Sequence, residues 1–130
     1  MKKLYVALLF LISFSFYGQI VNIPDANFKN ALVNTNCAHI QGELINSDID
    51  TNNNGEIEVS EAVVVDQLFI SNLSIESLIG IEYFTNLYYL GCENNQLTSL
   101  NISMLSQLNT LFCGNNLLTE INLCGTAVSW

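Results

Sequence analysis

Three stretches of the chain can be written one above another: Val65-Asp-Gln-Leu68-Phe-Ile70-Ser-Asn-Leu73-Ser-Ile75-Glu-Ser-Leu78, then Leu87-Tyr-Tyr-Leu90-Gly-Cys92-Glu-Asn-Asn95-Gln-Leu97-Thr-Ser-Leu100, then Leu108-Asn-Thr-Leu111-Phe-Cys113-Gly-Asn-Asn116-Leu-Leu118-Thr-Glu-Ile121. They begin 22 and then 21 residues apart. A period this short constrains the fold more than composition does, because one unit cannot bury its own apolar face and must stack on the next. The alternation from Leu87 to Cys92 predicts a short strand with Leu90 and Cys92 turned inward. Superposition gives Leu68, Ile70, Leu111 and Cys113 the same direction. Asn95 and Asn116 are expected to turn the chain, their amides satisfying backbone groups left without strand partners.

The shared frame is L-x-x-L-x-L-x-x-N-x-L, with Cys in the third apolar slot of the last two lines and Leu73 in place of Asn in the first. It resembles the leucine-rich-repeat family, and within it the short-repeat, internalin-like secreted proteins. The resemblance covers Ala62 to about Val128, and Ser77-Leu-Ile-Gly-Ile81-Glu-Tyr-Phe84-Thr-Asn-Leu87 is similar to the return segment such proteins place between coils. It implies an α/β solenoid: a short helical N-terminal cap, then about three coils carrying a small parallel sheet. After Leu123 the run Cys-Gly-Thr-Ala-Val128-Ser-Trp130 reads as the opening of a further repeat. The repeat region, 62–130, is therefore expected to be cut short at its C-terminal end, with Trp130 covering the last coil or the array belonging to a longer product.

At the other end, Lys2 and Lys3 precede the apolar run Leu4 to Phe16, the layout of a secretory signal. That run is shorter than the ~20 residues that span a bilayer. Residues 1–18 are expected to be removed, leaving Lys29 as the only base against 12 acids and a net charge of -11. Such a charge excludes nucleic acid and anionic membrane surfaces as partners, and the expectation is a secreted or cell-surface protein with no membrane insertion after cleavage. Of the cysteines, Cys92 and Cys113 recur at one repeat position and read as buried free thiols. Cys37 and Cys124 lie at opposite ends of the mature chain. No Cys-x-x-Cys pair is present and His39 lacks a ligand-spaced companion, so a zinc site is not expected. His39 reads as a surface or capping residue.

Between the signal and the repeats, 19–61 form the expected cap. Ile23-Pro24-Asp25 is an extended lead-in, with Asp25 capping a helix from Ala26 to about Asn34 that buries Phe28, Ala31 and Leu32 at helical spacing. The loop 50–61, Asp50-Thr-Asn52-Asn-Asn54-Gly55-Glu56-Ile57-Glu58-Val59-Ser60-Glu61, fits the EF-hand calcium pattern. Hard oxygens suit calcium, and the slots supply them from Asp50, Asn52 and Asn54, the Glu56 backbone carbonyl, Glu58 directly or through water, and Glu61 bidentately. Gly55 permits the sharp turn, and Ile57 points to the core. Neutral Asn at two slots and the lack of a second loop place affinity in the weak, structural range, ~10⁻⁴ to 10⁻³ M. The same residues also read as an Asn/Gly-rich turn with no metal.

The chain has no Arg, one His, and no Gly-x-Ser-x-Gly, His-Glu-x-x-His or phosphate-cradling loop, so no enzyme is expected. Two functional classes follow. One is a secreted binding module whose strand face meets a protein or glycan. The other is a calcium-dependent docking or structural module, or a non-functional fragment of a longer repeat protein. On the strand face, stacking places Gln67, Phe69 and Ser71 beside Tyr89, Gly91 and Glu93, and those beside Thr110, Phe112 and Gly114. Phe69, Tyr89, Glu93 and Phe112 are the expected partner-binding residues.

Overall fold

The computed structural model describes residues 18–43 and 46–123. The expected signal apart from Gly18, together with Cys124 and Trp130, lies outside the described residues.

Helix α1, Ala26–Asn34, begins where Asp25 takes extended geometry and its Oδ1 accepts the Phe28 N–H at 2.8 Å. The expected side chains, Phe28, Ala31 and Leu32, are its buried face. It stops at Thr35, whose backbone N–H and hydroxyl both go to the Ala31 carbonyl, at 3.2 and 2.7 Å. Strand β1, Ala38–Ile40, follows, then the acidic loop and the short helix α2, Val59–Ala62. Strands β2 (Val65–Phe69), β3 (Tyr89–Gly91), β4 (Ser99–Asn101), β5 (Thr110–Phe112) and β6 (Glu120–Asn122) complete the elements, with one 3₁₀ turn at Ile81–Tyr83.

The result is a small mixed sheet with few helices, in the order β1-β2-β3-β5. From β2 onward the strands run parallel and in register: Gln67, Tyr89 and Thr110 form one row, and Phe69, Gly91 and Phe112 the next but one. The expectation of one small parallel sheet needs two corrections. β1 runs antiparallel to β2, with His39 opposite Gln67, because it belongs to the cap and pairs the otherwise open edge of β2. A second sheet, β4 with β6, pairs the short segments after the Asn turns, Leu100 opposite Ile121.

Periodic apolar positions fill the core. Val65, Leu68, Ile70, Leu87, Leu90 and Cys92 are fully buried, and Leu108 and Leu111 nearly so. Each Leu or Ile so placed stabilises the fold by roughly 1.5–3 kcal/mol. Cys113 is only half-buried, unlike its repeat-mate Cys92, because no described strand follows β5 in this sheet. The cysteines in view are free thiols. Burial pushes the Cys92 thiol up to about 12, helped by the neighbouring Cys113 and Glu93.

The return segment between β2 and β3 turns at Gly80, where φ is +105°. A Cβ there would lie 2.8 Å from Ile23 Cγ1 and 3.0 Å from the Asn22 carbonyl oxygen, so both backbone conformation and space demand glycine.

Candidate functional site

The outer face of the larger sheet carries the residues that alternate with the core. Phe69 and Phe112 are exposed, at 38% and 42%, and flank Gly91 from the two neighbouring strands. Tyr89 belongs to another row, but its ring leans along β3 over Gly91: a Cβ at Gly91 would meet Tyr89 Cε1 at 3.3 Å and its hydroxyl oxygen at 3.4 Å. The three rings therefore form one cluster across three strands. Centroids are 5.1 Å apart for Phe69 and Tyr89 and 5.8 Å for Tyr89 and Phe112, with planes tilted by 38° and 48°. Such tilted contacts stabilise the cluster beyond simple burial, by about 0.5–1.5 kcal/mol per pair. Tyr89 is half-buried rather than fully exposed, because it fills the space glycine leaves.

Beyond the rings lie Ser71, Glu93 and Gly114, joined by a hydrogen bond from the Glu93 N–H to Ser71 Oγ at 3.2 Å. Two neighbours, Tyr88 and Asp66, were not singled out from sequence, and a third, His39, was not placed on this face. Tyr88, 52% exposed, stands just before β3, its N–H bound to the Asp66 carbonyl at 2.7 Å. His39, read as a surface or capping residue, lies on β1 with Nδ1 2.7 Å from Asp66 Oδ1. Only the antiparallel pairing of β1 brings these two together, so no local spacing could have announced them.

The acidic loop gathers the expected residues by a hydrogen-bond network. Asp50, 2% exposed, accepts from the Asn54 N–H through Oδ1 and the Gly55 N–H through Oδ2, at 3.0 and 2.8 Å. Gly55 takes φ +82°, as the turn requires. Asn52 Oδ1 accepts the Asn54 N–H and Asn54 Oδ1 the Glu56 N–H, while both amide nitrogens donate to Glu58, at 3.0 and 2.7 Å. Glu61 accepts from the Thr51 N–H and hydroxyl through Oε1 and from the Glu58 N–H through Oε2. Glu56 turns its side chain outward to Lys29 at 2.6 Å, while Ile57 is fully buried.

Asp50, Glu58 and Glu61 are thus nearly buried carboxylates with no cation beside them among the described residues. The hydrogen bond with Glu61, then those from the two asparagines, holds the Glu58 carboxyl below the usual range. Burial, followed by the same Glu58 contact, pushes Glu61 up. Among the described residues no three Asp, Glu, His or Cys side chains converge as a metal-holding group; the loop's other oxygens belong to Asn52, Asn54 and the backbone.

No family model matches the chain. No curated protein matches it. Among solved structures, it is similar to a chain of ZmpB from Clostridium perfringens comprising CBM51-2, in complex with GlcNAc, and INT domains, at 26% identity and TM-score 0.55, over 72% of this chain and 17% of that one. It is also similar to an internalin (inlF) from Listeria monocytogenes at 23% identity and TM-score 0.54, over 91% of this chain and 36% of that one. The internalin likeness is one of fold. The chain spans well under half the length of either protein.

Proposed function

We propose that the protein is an exported leucine-rich-repeat binding module, a short solenoid that presents its strand face to a protein or glycan outside the cell. One observation carries this reading: Phe69, Tyr89 and Phe112 meet ring to ring on the outer face, two of them well exposed, where a folded chain gains little by leaving aromatics in water. The similar structures support it: the internalin in fold, and the ZmpB chain in bearing CBM51-2 in complex with GlcNAc. Export through residues 1–18, a cap over 19–61 and repeats over 62–130 belong to the same proposal.

Calcium at the loop 50–61 is the proposed support for this face, holding the cap against the first repeat. The donors suit a hard cation in kind: carboxylates of Asp50, Glu58 and Glu61, amide oxygens of Asn52 and Asn54, and the Glu56 carbonyl. The Asn52 and Asn54 amides now give Glu58 their nitrogens and accept the Asn54 and Glu56 N–H groups through their oxygens, so calcium binding would have to re-aim both side chains and exchange these hydrogen bonds for ligand contacts. A divalent ion would also offset the burial and the Glu58 contact that push Glu61 up.

The test compares capture from cell-envelope extracts by the wild type, a Phe69→Ser/Tyr89→Ser/Phe112→Ser variant, and a control altered at Thr98 and Glu120. A strand-face partner should be retained by wild type and control and lost by the triple variant, provided all three melt alike. Equal capture by all three removes the strand face as the recognition surface.

A further inference from the structure

We propose that the partner of this face is a protein segment carrying a lysine or arginine flanked by apolar side chains, and that the cation seats beside Glu93 in the space left open by Gly114. The proposal rests on the strand-face reading and adds the chemistry of what binds there.

The first argument is charge. Lys29 is the only Lys or Arg among the described residues, and it is committed to Glu56. The strand face therefore offers acids and no Lys or Arg. Of its two carboxylates, Asp66 is engaged by His39, whereas that of Glu93 makes no hydrogen bond or ion pair among the described residues. Its neighbours in the row are a serine hydroxyl on one side and a glycine on the other. A cationic group from outside meets an unspent, half-buried carboxylate with an aromatic ring, Phe112, one alternation away on the adjoining strand, the combination that holds guanidinium and ammonium groups.

The second argument is Gly114 itself. Glycine is usually kept where the backbone needs positive φ or where a side chain would collide. Neither applies: Gly114 is not among the glycines with positive φ, and a Cβ there would meet nothing within 4 Å. It contrasts with Gly80, constrained on both counts, and with Gly91, covered by Tyr89. Among the described residues the fold does not ask for glycine at 114, and its lack of a side chain leaves the flank of Glu93 open.

The third argument separates a peptide from a sugar. A pyranose ring lies best on one flat aromatic face. The rings here are tilted to one another by 38° and 48°, so they form ridges and furrows suited to branched apolar side chains and a threaded cationic stem.

The test measures fluorescence anisotropy with labelled nonapeptides in which Val alternates with Arg, Glu or Thr, and competition by chitotetraose. The Val/Arg peptide should bind at least ~10-fold more tightly than the Val/Thr peptide, and the Val/Glu peptide should not bind. Glu93→Gln and Gly114→Leu should each weaken the Val/Arg peptide ~10-fold with unchanged melting. Glu120→Gln, which removes the same charge from β6, should change it less than ~2-fold. Equal losses from Glu93→Gln and Glu120→Gln would reduce the effect to general charge attraction and overturn the proposal. So would failure of the Val/Arg peptide to bind, or binding of Val/Thr or chitotetraose as tight as Val/Arg. If Val/Thr or chitotetraose binds and the triple aromatic variant abolishes it, the strand face stands and only the cationic partner falls. If capture from envelope extracts survives the triple variant, the strand face itself is wrong.

Discussion

Asn95 performs at one residue what a strand performs over several. Its Oδ1 accepts the N–H groups of Leu73 and Ile75, at 3.0 and 3.1 Å, and its Nδ2 donates to the carbonyls of Ile70 and Cys92, at 2.7 and 3.0 Å. With 6% of its surface exposed, these backbone groups have no water to turn to. Asn116 repeats the arrangement one unit later, taking the Leu97 N–H and donating to the Cys92 and Cys113 carbonyls, but it is only half-buried. Asn95→Ala should therefore cost about 3 kcal/mol, roughly 10 °C in melting temperature, and Asn116→Ala clearly less. Equal losses in thermal melts would show that burial is not what sets the cost. The residue before each ladder asparagine does different work: Asn72, Asn94 and Asn115 take φ of 63°, 54° and 54°, the left-handed turn that Asn tolerates better than most side chains. Asn72 survives where its neighbour is Leu73, so in the first repeat the turn is kept and the ladder is not.

Between elements, Asp25 is the principal clamp. While Oδ1 caps α1, Oδ2 accepts the N–H groups of Glu76 and Ser77, at 2.8 and 3.0 Å, and fixes the helix to the return segment. Asn27 adds a second tie, donating to the Ser74 carbonyl at 2.9 Å. Burial pushes the Asp25 carboxyl up, but the N–H groups of Phe28, Glu76, Ser77 and Asn27 together outweigh it and hold the pKa below the usual value. A depressed carboxyl contributes stability that is present above its unfolded pKa, about 4, and is lost as pH falls through its folded value. Asp25→Ala should destabilise by about 1–2 kcal/mol at neutral pH, the usual cost of a lost cap. Melting curves between pH 7 and pH 3 should show the gap between wild type and variant closing in acid. A gap constant with pH would mean the carboxylate is not the working group.

At the scale of the whole molecule, cap and repeats share one sheet and one apolar core, since β1 pairs with β2 and α1 packs Phe28 and Leu32 into the cluster that holds Leu68 and Leu90. The acidic loop sits at this junction, so a cation bound there as proposed would act on global stability. If the dissociation constant is ~0.1 mM, 1 mM calcium should add ~1.4 kcal/mol and raise the melting temperature by several degrees. Glu61→Gln should remove most of that increment, whereas Asp48→Asn, just upstream of the loop and outside its ligand register, should leave most of it; identical melts in calcium and in chelator would sink the calcium proposal. In chelator Glu61 should act in the opposite sense to Asp25. Its raised pKa makes the folded loop bind a proton more tightly than the unfolded chain, so its contribution weakens as pH rises through the folded value.

The sequence by itself determined whatever depends on near neighbours. Repeat spacing specified which side chains of each strand turn inward and which rows lie side by side, and the Asp25 to Leu32 pattern specified the helix and its buried face. The order of residues along Asp50 to Glu61 specified a tight turn at Gly55, closed by hydrogen bonds to its own side chains. Tertiary structure alone decided the direction of β1, and with it the His39–Asp66 pair. It also decided the second hold of Asp25 on residues 51 and 52 positions away, the lean of Tyr89 over Gly91, and the open flank beside Glu93. The physical reason is one of range. Periodicity records the alternation of water and core along a strand, which each residue meets locally, whereas these contacts join segments whose separation in space is fixed only once the repeats have stacked and the cap has closed over them.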